Sequence, residues 1–123
     1  MYEINRSVIT LIPQEAFWAW LQTLPDTELE DFELEDLQED ANAYLIKPCE
    51  DMDQAWDEIM ANLEQLFSAE LADWCEEPEY WPDLHPDIFG EWFEVRLSTV
   101  LTDLCARDIE RNAFDPIVLD PDA

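Results

Sequence analysis

The chain is predicted to fold as one α+β domain, a small and mostly antiparallel three-stranded sheet packed on one face by two main helices. Three observations predict it. Residues 4–12 (Ile-Asn-Arg-Ser-Val-Ile-Thr-Leu-Ile) form a short β-branched run, the signature of a strand. Residues 53–74 carry an apolar stripe at spacings of three and four, the signature of an amphipathic helix. The whole chain is 48% apolar and holds six Trp, six Phe and three Tyr, rings that bury large areas, so a packed core is affordable in 123 residues. Residues 1–123 are read as a single domain, with residues 114–123 as a loosely held tail because Pro116 and Pro121 break regular structure there.

The elements follow in order. Pro13 ends the first strand and suits the entry to a helix near 14–23, where Phe17, Trp18, Trp20, Leu21 and Leu24 recur at helical spacing until Pro25 stops them. Within the acid-rich stretch 26–40, Leu34 and Leu37 fit a short helix near 33–40, and the residues before it read as loop. Residues 41–47 read as a second strand closed by Pro48. The long helix over 53–74 presents Met52, Trp56, Ile59, Met60, Leu63, Leu66, Phe67, Leu71 and Trp74 on one face. It opens on Asp51 and Gln54, spaced as a capping box, with acids at its positive N-terminus. Prolines 78, 82 and 86 make the next stretch a loop pinned by Tyr80 and Trp81, followed by a short helix from Asp87 to Glu91. Residues 93–104 satisfy both periods; their Val and Thr content predicts a third strand over 93–103.

Charge sets the functional question. Thirty-two acids against five bases leave a formal −27, which opposes compaction through self-repulsion. Between Ser7 and Val95 stand 25 acids and a single base, Lys47. Such a chain is expected to avoid nucleic acid and anionic membrane alike, since both would repel it. By size scaling a folded monomer exposes roughly 6,900 Å², about 255 Å² per net charge, against about 107 Å² for duplex DNA. Spread evenly, the charge is less than half as dense as a duplex; gathered on one side, it matches it.

Neither a membrane-spanning run nor a secretory leader is read in the sequence, and the expected location is cytoplasmic. Cys49, Cys75 and Cys105 are odd in number and widely spaced, which reads as reduced thiols and not a disulfide framework.

The segments Ile4-Asn5-Arg6-Ser7-Val8-Ile9, Pro13, Phe17, Trp20 and Leu24-Pro25 resemble a group of short, acidic bacterial proteins of unknown function. So do Leu34-Glu35-Asp36-Leu37, Ala43-Tyr44-Leu45-Ile46, Trp74, Trp81-Pro82 and Glu91-Trp92-Phe93. The resemblance implies a cytoplasmic α+β protein and brings no activity with it.

Candidate sites divide by chemistry. Carboxylates at Glu28, Glu30, Asp31, Glu33, Glu35, Asp36, Glu39 and Asp40, with Asp53, Asp57, Glu58 and Glu64 on the long helix, are expected to share one side and imitate rows of phosphates. A solvated face that only keeps the protein soluble is the plain alternative, and adaptation to a salt-rich cytoplasm a further one. Asp36, Glu39, Asp40, Glu50, Asp51 and Asp53 offer oxygen ligands, but without the glycine-bearing spacing of a calcium loop. Cys49, Cys75, His85 and Cys105 lack the short spacing of a zinc site, so no metal is assigned. No catalytic residue and no cofactor are assigned either: the carboxylates are abundant without a motif that places one, His85 sits in the proline loop, and the lone Gly90 cannot build a phosphate-cradling loop. Trp81 and Trp92 are possible aromatic anchors of an interface, or simply the rings that bury the loop.

The expected function is therefore a non-enzymatic DNA mimic. Its partner would be a basic protein, such as a nucleoid-associated or regulatory DNA-binding protein, met in competition with DNA. The rival expectation is an accessory or structural interaction protein whose acidity serves solubility only.

Overall fold

The computed structural model describes residues 1–25 and 29–114. Its α+β architecture rests on a three-stranded antiparallel sheet of β2 (Ser7–Pro13), β3 (Asn42–Ile46) and β4 (Phe93–Ser98), in the order β3-β2-β4. The earliest of these strands is central because it is the most apolar: Ile9 and Leu11 are fully buried. The register places Ile9 opposite Tyr44 and Leu97, and Leu11 opposite Asn42 and Val95, so these residues share one face.

The first strand expected over 4–12 is two strands, and so is the third expected over 93–103. β1 (Tyr2–Ile4) pairs with β5 (Leu101–Asp103) as a two-stranded extension of the β2–β4 ribbon. Three residues, 5–7, stand opposite two, 99 and 100, and the extra residue interrupts the ladder as a bulge does. Ser7 closes the gap. Its buried hydroxyl accepts from the Cys49 amide at 2.8 Å and donates to the Thr99 carbonyl at 3.1 Å. Ser7→Ala leaves the buried Cys49 amide unpaired and is expected to cost about 1–3 kcal/mol, read as a lower urea midpoint with an unchanged m-value.

The inner face of the sheet is covered by helices. α1 (Glu15–Thr23) starts just past Pro13, and its Phe17 ring lies 5.2 Å from Phe93. The single helix expected over 53–74 is instead two, α3 (Met52–Ala61) and α4 (Leu63–Ala72). The break is at Asn62 (φ −122°, ψ 18°), whose side-chain amide donates to the Glu58 carbonyl at 2.9 Å beside its own backbone amide at 3.2 Å, a local bond that closes the end of α3. Met52 and Met60, which the periodicity assigns to the buried stripe, are exposed, whereas Ala55, Ile59, Leu66, Phe67 and Leu71 are buried. The expected cap does form: Asp51 accepts from the Gln54 amide at 2.9 Å, and Gln54 accepts from the Glu50 amide at 2.8 Å.

Two shorter helices complete the cover. α2 (Leu34–Glu39) buries Leu37 and is tied to the central strand by Gln38, whose side chain donates to the Pro13 carbonyl at 3.0 Å. α5 (Pro86–Trp92) feeds Phe89 into the core. Phe17, Phe67, Phe89, Phe93 and Trp92 form one tilted and edge-to-face ring cluster with centroids 5.1–6.1 Å apart. Among the described residues, no helix is long and apolar enough to cross a membrane.

Candidate functional site

All described carboxylates are exposed except Glu58 and Asp103, which are half-buried, and Glu70, which is buried. Few have a cation nearby. Among the described residues, Lys47 lies 2.8 Å from Glu58 and Arg96 lies 3.4 Å from Glu94. The Lys47 ammonium is pushed above its usual range by the hydrogen bond to Glu58 and by that carboxylate's charge. Placement therefore decides what the acids can do.

The fold separates them into two groups. Glu30, Asp31 and Glu33 are exposed in the approach to α2, and Glu28 lies outside the described residues. Glu33 caps α2, its own amide donating to Asp36 at 2.8 Å. Asp36 and Asp40 then line a hollow of about 170 Å³ with Asn42, Glu70, Asp73 and the rings of Phe32 and Trp74. On the other flank of α2, Glu15, Glu91 and Glu94 line a second hollow with Leu34 and Gln38. Exposed Glu35 and Glu39 belong to the helix that separates the two hollows. The α2 acids thus neighbour the C-terminal end of α4. Asp53, Asp57 and Glu58 belong to α3, and Glu64 to the first turn of α4, the far end of a helix about 15 Å long.

The residue that sequence reasoning missed is Glu70. On α4 it reads as one more solvated acid, yet it is 5% exposed. Tyr44 donates its hydroxyl to Glu70 Oε1 at 2.7 Å, and the Asn42 side-chain amide stands 3.2 Å from both carboxylate oxygens. Burial pushes the Glu70 carboxyl above its ordinary value, against the two hydrogen bonds, and nearby Asp73 adds to the rise. Burial also raises the Tyr44 phenol, with the Glu70 charge second, so the hydroxyl remains a donor. The signal in sequence was slight: Asn42 and Tyr44 alternate on a strand, and only the sheet's inner face makes them partners of a helix.

The fold favours the protonated form of Glu70. Its contribution to stability is therefore complete below the unfolded-state value and is lost as pH rises through the higher folded value. Glu70→Gln cannot ionise. Relative to wild type, its unfolding midpoint is expected to improve from pH 4 to pH 7; parallel midpoints at both pH values would refute this.

The aromatic residues are mostly engaged within the fold. Trp92 is half-buried against Phe17, Trp20 and Phe67. Trp81 donates its indole N–H to the Cys75 carbonyl at 2.8 Å, and Trp20 donates to the Tyr80 carbonyl at 2.8 Å, which pins the proline loop. The exposed rings are Phe114 and Tyr2, at 81% and 58%, and then Phe32 and Tyr80, at 45% and 43%. Cys49 is buried, and burial raises its thiol; Cys75 is half-buried and Cys105 exposed. His85 caps α5, accepting from the Asp87 amide at 3.1 Å. Among the described residues, no group of three or more His, Cys, Asp or Glu side chains is arranged to hold a metal. Compared with models of known families, with curated proteins and with solved structures, the chain matches none.

Proposed function

We propose that this protein binds a basic protein through a DNA-like negative surface centred on α2 and the C-terminal end of α4, in competition with DNA. One observation carries the reading: carboxylates stand where they oppose the fold itself. Asp73 occupies the C-cap of α4, the negative end of the helix dipole, and no described helix has a base in its last turn. Asp73 also raises the buried Glu70 through its charge, with Asp36 and Asp40 lining the same hollow. A surface kept only for solubility has no need of acids at such positions, since any exposed site serves that purpose. A basic partner relieves the repulsion on binding, and long-range attraction speeds the encounter.

The reading is non-enzymatic, with a nucleoid-associated or regulatory DNA-binding protein as the kind of partner, a cytoplasmic setting and no cofactor. The test is a pull-down from bacterial lysate at low and high salt, with duplex DNA as competitor. Release of the captured protein by both salt and duplex supports the proposal. Capture that is indifferent to both would leave the accessory-protein reading, with acidity serving solubility only.

A further inference from the structure

The outer edge of β3 is unpaired, since β2 is its one neighbour in the sheet. Among the described residues no backbone hydrogen bond leaves that edge. Beside it runs a groove in three connected parts. The first, about 600 Å³, lies between β3 and the α3–α4 junction, with Leu66 and Ala69 on the helix side. It shares Tyr44 and Ala69 with a second part of about 360 Å³ that reaches Asp73 and Glu76. That part shares Asn42 and Asp73 with the 170 Å³ hollow lined by Asp36, Asp40, Phe32 and Trp74. The groove thus mixes apolar walls (Leu45, Leu66, Ala69, with Phe114 on the first two parts) with Arg6 and Lys47 at the Ile46 end, and it is acidic at the Asn42 end.

Charge selects the occupant. At the Ile46 end Arg6 lines the wall and Lys47 is paired with Glu58 at 2.8 Å, whereas no described cation lies within ion-pair distance of Asp36, Asp40, Asp73 or Glu76, so a partner's cation is favoured at the Asn42 end alone. A second copy of a chain with net charge −27 is repelled, and residues 115–123 contain three aspartates and no base. The hollow is also smaller than the roughly 300–1,000 Å³ of ordinary small-molecule sites. It has the room and the walls for one long cationic side chain, with carboxylates for the charge and aromatic faces for the cation.

We propose that an extended segment of a basic protein partner adds to the free edge of β3 as a fourth antiparallel strand. Its alternate apolar side chains lie over Leu66 and Ala69, and a lysine or arginine at its C-terminal end enters the hollow beside Asp36, Asp40 and Asp73. Main-chain bonding supplies affinity in this mode, and the side-chain pockets supply selectivity. A strand as long as β3, five residues, spans about 17 Å. The inference rests on the basic-partner reading above and adds to it the place and form of the contact.

The test is a titration of the full chain followed by amide chemical shifts of residues 42–46. The probe is the blocked peptide Val-Thr-Val-Thr-Val-Thr-Lys, whose lysine falls on the same face as its valines. Expected are shifts along β3, lost when the central valine of the peptide is replaced by proline, and about tenfold weaker binding when its lysine becomes glutamate or when Asp40→Asn and Asp73→Asn are combined. Polylysine is titrated in parallel. If polylysine binds while the peptide leaves residues 42–46 unmoved, strand addition is overturned and the acidic-surface reading stands; if neither binds, both fall. Two other results also overturn the proposal. Shifts of residues 42–46 with protein concentration would name a second copy as the occupant. Shifts caused by Ile117→Ser with Val118→Ser, without peptide, would name the chain's own C-terminal segment.

Discussion

Phe67→Ala is expected to destabilise the protein by about 3–5 kcal/mol, the range for removing a fully buried ring and leaving a cavity. Phe67 has no solvent exposure and its ring meets those of Phe89, Trp92 and Phe93 at 5.4–6.1 Å, so one truncation removes three aromatic contacts. These partners come from α5 and β4, and Phe67 itself from α4, which lies over β3 through the Glu70–Tyr44 bond. The cavity would therefore sit where helix layer and sheet meet, with no single element free to collapse into it. In a domain of ordinary stability, 5–15 kcal/mol, the loss brings the variant near its folding threshold at low salt. Urea denaturation in 0.5 M salt is the measurement, and Phe67→Leu, which conserves more volume, should recover most of the loss. A change under 1 kcal/mol would mean that the ring cluster is not the keystone of the core.

Salt is expected to move stability and binding in opposite directions, and the second effect is the larger. With 24 exposed carboxylates among the described residues and two cation–carboxylate ion pairs there, self-repulsion weakens as the screening length shrinks from about 30 Å at 0.01 M to about 3 Å at 1 M. The thermal midpoint should rise across that range. Binding to a basic partner should fall. An interface engaging six carboxylates at duplex-like density would lose up to about a thousandfold in affinity between 50 and 200 mM salt. Calorimetry on the protein alone and a salt series on the complex check the two limbs. A midpoint that falls with salt, or an affinity that does not, would remove the electrostatic account of this surface.

Much of the fold was legible because its signals are local. Proline after an apolar β-branched run ends β2 at Pro13; helical spacing from Phe17 to Leu24 places α1; Asp51 and Gln54 announce the start of α3. The ambiguous stretch after Trp92 is strand, as its Val and Thr content indicated. The break at Asn62 was hidden because the apolar spacing continues through it. A 3.6-residue period reports which side is buried, and it does not report that one residue within the run, Asn62, leaves helical φ and ψ.

The sequence by itself determined that this chain is strongly acidic, has enough apolar and aromatic residues for one core, and builds an antiparallel sheet under helices, because composition and periodicity act residue by residue. Only the tertiary structure decided that Glu70 is buried between a helix and an edge strand. It also decided that the acids of α2 meet Asp73 and not those of α3, and that β3 has a free edge beside an apolar groove. Those outcomes depend on which strand lies at the rim and how two helices cross it, and burial and charge spacing follow from distance in space, which local patterning does not encode.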